Sequence, residues 1–311
     1  MIYSGQNGRN ENLRIWFNEP AKNHIKGALE NPSTVNQTGH IGEQSDWITA
    51  LPIGNGRLGG LIFGGVTEEL IKLNEETLWS KETNGPKWVD YLPEVRRLIF
   101  EGKYEEADKI SQNMQGSFNE SYMPLGNLKL HFKHTSDVKS YRRDLILNDA
   151  VAKVSYYVGD LQYTREYFCS RPDDVMLIQL SCNEPGNLTF DVTMNSMLQY
   201  TMTQSNNNSI ILKGKAPAHV KPNYIGEIQD AIVYDVDNGM KYEVHLMAVL
   251  ENGSTRTDST GLHIKSADRI TLILSAATSF NGYDKNPSTQ EKATSVCCDS
   301  LEKVLKKTIT H

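Results

Sequence analysis

From Asn127 onward the sequence keeps one cadence, short apolar or alternating runs divided by brief polar breaks. Asn127–Phe132, Tyr141–Leu147, Val151–Val158, Tyr163–Cys169 and Val175–Ser181 are set off by Asn148-Asp149, Gly159-Asp160 and Pro172-Asp173. Breaks this short leave room only for hairpins, so neighbouring strands must run antiparallel. The same pattern predicts strands over Leu188–Met194, Ser209–Lys213, Ala231–Asp235, Lys241–Leu250, Gly261–Ile264 and Arg269–Ser275, with residues 205–209 and Asn252-Gly253-Ser254 as turns. Roughly a dozen strands without a βαβ rhythm specify an all-β-dominated fold, a large antiparallel two-sheet sandwich.

Upstream, Trp47–Trp79 concentrates six glycines and a dense polar set between two tryptophans. Glycines so crowded lose much backbone entropy on folding, so their φ > 0 freedom or missing side chains must be needed. Gly54 and Gly56 flank Asn55, which suits a tight turn. Arg57 then leaves the turn beside an apolar strand, Leu58–Phe63, closed by Gly64-Gly65. Glu69–Leu73 reads as the next strand and delivers Asn74, Glu75, Glu76 and Trp79 to its end. Polar groups and an aromatic at a strand end suit contact with a sugar or a neighbouring domain.

The remaining elements frame this sandwich. Residues 1–12 are polar and expected to be loose. Leu13–Phe17 is a first strand ended by Asn18-Glu19-Pro20, and 21–45 is an insertion-like polar loop with no assigned role. After Pro86, Tyr91, Val95, Leu98 and Ile99 follow a helical period, Gly102 can cap that helix, and Tyr104, Ala107, Ile110 and Met114 mark a second. A helical hairpin inserted at about 87–115 follows, its aromatics expected in the core. A last helix begins after Ser288, with Glu291 completing a capping box and Ala293, Val296, Leu301, Val304, Leu305 and Ile309 along one face. Domain limits are therefore 1–287 for the sandwich and 288–311 for the start of a linker helix.

A chain of 311 residues with 38% hydrophobic content can bury a sizeable core. Its net charge of −6 leaves no basic stripe for nucleic acid or an anionic membrane. No apolar run approaches the ~20 residues of a membrane span. MIYSGQNGRN lacks the charged-then-apolar order of a signal peptide, so localisation is open, and an exported parent would carry its signal elsewhere. Cys169, Cys182, Cys297 and Cys298 fit no zinc spacing. A Cys169–Cys182 bridge between neighbouring strands and free buried thiols both fit the pattern. His131 and His134, three apart on a strand, face opposite ways and do not share a metal. Sequons at Asn36, Asn119, Asn187, Asn207 and Asn252 matter only in a eukaryotic secretory host.

The runs ALPIGNGRLGGLIFGG, IKLNEETLWS, YMPLGNLKLHF, YRRDLIL, YTREYFCSRPDDV, GKAPAHVKPNY and LILSAATSFNGYD occur in the order seen in glycoside hydrolase family 95. The resemblance runs from about Trp47 to the end of the chain and covers that family's N-terminal β-sandwich. It implies a parent that hydrolyses terminal α-L-fucosides, or α-L-galactosides, with inversion and without cofactor or metal. It also implies that the general acid and the water-activating set lie in a downstream (α/α)6 barrel, so no residue here is catalytic and the chain alone is inactive. The final helix would lead towards that barrel, which becomes the partner of this domain, with carbohydrate reached through the parent. Asn55, Arg57, Asn74, Glu75, Trp79 and His219 are then the candidates for domain contact or substrate-side positioning. Trp79 has the apolar area and indole N–H to stack on a sugar, or to serve in an interface. Arg57 suits an ion pair better than a ligand, and His219, between Pro217 and Pro222, is held in a stiff loop.

Glycoside hydrolysis needs two carboxyls ~5–5.5 Å or ~6.5–9.5 Å apart across the scissile bond. Glu68 and Glu69 read as solvated charges at a turn. Glu75 and Glu76 are adjacent on an extended segment and face opposite ways, which prevents them from flanking one bond. Two rivals share the pattern: a freestanding carbohydrate-binding module, and the equivalent sandwich of a disaccharide phosphorylase. LNEETLW and AATSFNGYD favour family 95 over the latter.

Overall fold

The computed structural model of the protein describes residues 13–21, 48–80, 88–114, 120–222, 229–235, 238–282 and 285–308. The loose N-terminus, most of the 21–45 loop, Trp47, Asn36, Asn119 and Ile309 fall outside these residues.

In chain order the first strands are β1 (Arg14–Phe17), β2 (Leu51–Gly54), β3 (Leu58–Ile62) and β4 (Glu68–Glu75). Helices α1 (Leu92–Phe100) and α2 (Tyr104–Ser111) come next. After them run β5 (Gly126–Phe132), β6 (Lys139–Ile146), β7 (Val151–Val158), β8 (Leu161–Ser170), β9 (Val175–Cys182) and β10 (Leu188–Asn195). The chain closes with β11 (Gln199–Asn206), β12 (Ser209–Lys215), β13 (His219–Val220), β14 (Ile232–Val233), β15 (Lys241–Glu251), β16 (Ser254–Asp258), β17 (Gly261–Ala267), β18 (Arg269–Thr278) and helix α3 (Gln290–Thr308).

Two sheets face each other. One has nine strands in the order β1-β6-β7-β8-β9-β18-β15-β12-β11, the other seven in the order β16-β17-β10-β5-β4-β3-β2. Within each, neighbours pair antiparallel, as the short breaks require. Inward positions of both sheets, such as Leu128 and Leu130 on β5, Phe190 and Val192 on β10, and Leu272 and Leu274 on β18, merge into one core. Each fully buried aliphatic there contributes roughly 1.5–3 kcal/mol. The predicted Ala231–Asp235 strand shrinks to β14, which pairs with β13 in a separate ribbon.

Strand β4 carries the fold's least ordinary feature. Its inward side reads Glu69, Ile71, Leu73, Glu75, an acid at each end of a two-residue apolar stretch. Glu69 is therefore not the solvated turn charge its sequence position suggests: it is wholly buried. Arg165 of the facing sheet lies 3.1 Å from it, also buried. Tyr167 Oη donates to Glu69 Oε2 at 2.7 Å, and the Gly64 N–H donates to Oε1 at 2.7 Å. Period 2 explains the reversal, since Glu68 and Glu69 must face opposite ways. Glu68 takes the outer face, 3.3 Å from His131 and 3.7 Å from Lys129.

The Gly64-Gly65 corner that meets this acid accounts for part of the glycine richness. Gly64 has φ +73°, Tyr141 Oη donates to its carbonyl at 2.6 Å, and an added Cβ would collide with that hydroxyl. Gly64→Ala is expected to destabilise the fold by about 1–3 kcal/mol through left-handed backbone strain. A lower urea midpoint at unchanged slope is the readout, and an unmoved midpoint contradicts the assignment.

The helical insertion departs from expectation on one point. Gly102, at φ +75°, ends α1, donating to Ile99 O at 3.1 Å while Lys103 donates to Leu98 O at 2.9 Å. Val95, Leu98 and Ala107 pack with Ile110 and Met114 in a cluster apart from the main core. Tyr91, Ile99 and Tyr104, expected inside, are exposed, and Phe100 is 89% exposed. Two short helices closing on each other bury one narrow stripe each, which leaves the flanking aromatics outside.

Helix α3 roofs the outer face of the nine-stranded sheet. Leu301, Val304 and Leu305 meet Val175, Ile273, Met247 and Val249, and Ala293 and Cys297 meet Ala277. The helix begins at Gln290, one residue later than a capping box of Ser288 and Glu291 would start it, and Glu291 lies in its first turn. Beneath it, buried Glu243 accepts from Thr294 Oγ1 at 2.6 Å, Gln290 Nε2 at 2.9 Å and Lys213 Nζ at 3.0 Å, with His245 Nε2 at 2.5 Å. All four cysteines are free. Cys169 pairs in register with Met176 and Cys182 with Tyr163, at opposite ends of one ladder, which removes the bridge the spacing allowed. No described helix is long and apolar enough to cross a membrane.

Candidate functional site

Five of the six candidate side chains gather at the end of the sandwich where β4 stops. The turn between β2 and β3 is shaped by Asn55, whose Oδ1 accepts the Arg57 and Leu58 N–H groups at 2.9 and 2.8 Å. Its Nδ2 donates to Ser170 O at 2.9 Å and Asp174 Oδ1 at 3.2 Å, both beyond the gap in the facing sheet. A short side chain that closes its own turn and also reaches across explains why Asn, and not Gly alone, stands there.

Arg57 extends this bridge. Its Nη1 donates to Ala276 O at 2.8 Å and Glu75 Oε1 at 3.2 Å, and Nη2 donates to Asp174 O at 3.4 Å. Its Nε lies 3.1 Å from Asp174 Oδ2 without hydrogen-bond alignment. One guanidinium thus joins β4, β18 and the 171–174 turn, as its fixed fork of donors permits. Arg57 is an ion-pair partner of both Glu75 and Asp174.

Glu75 is the inward acid at this end. Its Oε2 accepts the Thr77 N–H at 2.8 Å and Oγ1 at 2.7 Å, while Oε1 takes Arg57. Burial pushes its carboxyl above the usual range, and Thr77 and Arg57 pull it back. Both oxygens are engaged and the residue is almost wholly buried, so it presents no exposed acceptor to a substrate. Thr77 Oγ1 and Thr278 Oγ1, 2.5 Å apart, carry the link on to β18. Asn74 points the other way, half-exposed on the outer face opposite Gly59, and is not part of this cluster.

Beyond β4 the chain pairs briefly with residues 121–123. Ser80 N–H donates to Ser121 O at 2.9 Å, Met123 N–H to Leu78 O at 2.9 Å, and Trp79 lies opposite Tyr122. The two rings stand 5.2 Å apart, tilted by 54°. Trp79 is 42% exposed and Tyr122 44%. Trp79 Nε1–H donates to Glu76 O at 2.9 Å and Tyr122 Oη to Glu75 O at 3.2 Å. Glu120 borders this pair, with Oε1 3.0 Å from His219 Nδ1 and Oε2 accepting Ser80 Oγ. His219 therefore reaches the same loop through an acid the sequence reading did not single out.

Tyr122, Glu120, Ser80 and Asp174 are the residues missed. Tyr122 and Asp174 lie inside YMPLGNLKLHF and SRPDDV, so the motifs held the signal, but no local period shows that they meet Trp79 and Arg57. Among the described residues no group of three or more His, Cys, Asp or Glu side chains is placed to hold a metal ion. What the geometry offers is a rigid polar clamp between the sheets and, beside it, a fixed aromatic pair.

The family described as "Glycosyl hydrolase family 65, N-terminal domain" matches residues 15–283. "Alpha-L-fucosidase 2" of Arabidopsis thaliana is 36% identical over 254 residues, covering 78% of this chain and 30% of that protein. "Probable alpha-fucosidase A" of Aspergillus niger is 27% identical over 261 residues, covering 79% of this chain and again 30% of the relative. A solved structure, "Putative kojibiose phosphorylase from human microbiome", aligns at TM-score 0.40 and 10% identity, over 82% of this chain and 30% of that one. The chain thus spans less than a third of the length of these proteins. With a family match across almost the whole sandwich, the chain belongs to the N-terminal-domain family of glycosyl hydrolases of the family 65 type, and its relatives within it include α-L-fucosidases.

Proposed function

We propose that this sandwich is the non-catalytic N-terminal domain of a family-95-like α-L-fucosidase. In this reading it packs on a catalytic (α/α)6 barrel and helps shape the mouth of its active site. The parent hydrolyses terminal α-L-fucosides, or α-L-galactosides, with inversion. The observation that carries the assignment of chemistry elsewhere is the state of Glu75. It is the buried acid of the candidate site, and Arg57 and Thr77 occupy both of its oxygens. A general acid must instead hold a proton within reach of the leaving oxygen. The names of the Arabidopsis and Aspergillus relatives support the sugar class.

Asn55, Arg57 and Glu75 are then structural, giving a stiff end against which a neighbouring domain can rest. The 311-residue chain is expected to show no turnover of an aryl α-L-fucoside above the buffer blank. Measurable hydrolysis that survives repurification and is lost in Glu75→Gln would put the chemistry in this domain and overturn the reading.

A further inference from the structure

Trp79 and Tyr122 present an arrangement that neither the clamp nor the core requires. Exposed aromatics on a folded surface ordinarily keep their polar ends towards water. Here both polar ends are turned in, the indole N–H on Glu76 O and the phenol on Glu75 O. What solvent meets is therefore mostly ring carbon. The backbone pairing of 78–80 with 121–123 sets the two residues opposite each other and these two hydrogen bonds hold their rings, so less side-chain freedom remains to be lost on binding.

The border of this surface is polar. Glu76 is exposed and, among the described residues, makes no ion pair. Glu120 and His219 are partly buried and bonded to each other, and Glu120 also accepts from Ser80, next to Trp79. A wholly apolar partner would strand these charges, because an unpaired carboxylate taken out of water is strongly disfavoured. A pyranose answers both demands, with C–H bonds on one face and hydroxyls around its edge. A 6-deoxy sugar answers them best, since its methyl group enlarges the apolar side while the ring hydroxyls still reach the carboxylates.

We infer that Trp79 and Tyr122 form a sugar-stacking subsite on this domain itself, taking a terminal 6-deoxyhexopyranoside with its hydroxyls towards Glu76 and the Glu120–His219 pair. For its sugar class this rests on the fucosidase reading above, whereas the stacking itself rests on the rings alone. It assigns the domain a direct hold on the glycan in addition to its scaffold role. No bond is made or broken there.

Saturation-transfer NMR on the 311-residue chain with methyl α-L-fucopyranoside tests it, with methyl α-L-galactopyranoside and methyl α-D-glucopyranoside alongside. The expected result is weak binding, in the millimolar range, with transfer strongest to the C6 methyl and its neighbouring ring protons. Trp79→Ala should abolish the signal and Trp79→Phe should keep part of it. Both should leave the far-UV circular dichroism unchanged, because the indole is not in the core. Tyr122→Phe, which keeps the ring and loses the tie to Glu75, should weaken binding only a few-fold. A signal equally strong in a folded Trp79→Ala variant overturns the subsite, as does no transfer to any of the sugars, and either leaves the fucosidase reading untouched. Transfer to the glucoside or the galactoside at least as strong as to the fucoside keeps the rings as a stacking surface but overturns the 6-deoxy class, and the fucosidase reading is then judged by the turnover assay alone.

Discussion

Arg165→Met is expected to destabilise the protein by about 3–5 kcal/mol, the range for removing one partner of a buried ion pair. Arg165 and Glu69 are 3.1 Å apart, neither accessible to solvent to any useful degree. Arg165 Nη2 also donates to Gly65 O at 2.8 Å, and the guanidinium lies 5.0 Å from the Phe132 ring and 5.2 Å from Tyr156. Without it the Glu69 carboxylate faces an apolar interior with hydrogen bonds but no counter-charge. Burial pushes the Glu69 carboxyl up and Arg165 opposes that rise, so the variant is also expected to take up a proton at this site. The test is urea denaturation of Arg165→Met, Glu69→Gln and the double variant. Gln at 69 keeps an acceptor for the Gly64 and Leu70 N–H groups. The double variant should therefore regain much of the loss, and a simple sum of the single effects would show that the pair is not coupled.

Glu243→Ala is the second large expectation, at about 2–4 kcal/mol, somewhat below the first because Lys213 is partly exposed. Four donors meet on this carboxylate, and two of them, Gln290 and Thr294, belong to α3. Loss of the acid should release the helix before the sandwich, seen as amide exchange rising across 290–308 while β15 and β18 stay protected. Burial alone would raise the carboxyl, but hydrogen bonds from His245, Thr294, Lys213 and Gln290 hold it at about 2. The folded value thus lies below the ordinary 4.5, and the stabilisation is complete above that pH and fades as pH falls towards about 2. Glu243→Gln should flatten the acid limb of stability against pH, and an identical acid limb in the variant would exclude Glu243 as its source.

Much of this architecture was legible because period-2 runs and two-residue breaks are local signals. β7 was read to the residue, and most other strands within a few positions. Four strands escape that reading. β2 and β13 are only four and two residues long, the latter taking His219 out of the stiff loop expected for it. β11 and β16 are polar edges, Gln199–Asn206 and Ser254–Asp258 facing solvent along most of their length without apolar alternation. Asn252-Gly253 was correctly a turn, but the sequence after it carries nothing that distinguishes strand from loop. Glu69 misled for a related reason. Charge suggests exposure, and only the facing sheet shows the arginine that makes burial tolerable. At the candidate site, Asn55, Arg57 and Glu75 lie close in sequence around one turn and one strand end, so their company could be anticipated. The Trp79–Tyr122 and His219–Glu120 pairs join segments dozens of residues apart, which no single-sequence period encodes.

The helical insertion has a consequence for how such a domain can change over generations. Its apolar contacts are made with itself, in a cluster separate from the main core. Lengthening, trimming or redecorating that appendage leaves the strand ladders and the clamp around Arg57 unaltered. Descendants of this domain are free to experiment there, acquiring new surfaces on an outgrowth whose failure the sandwich need not share.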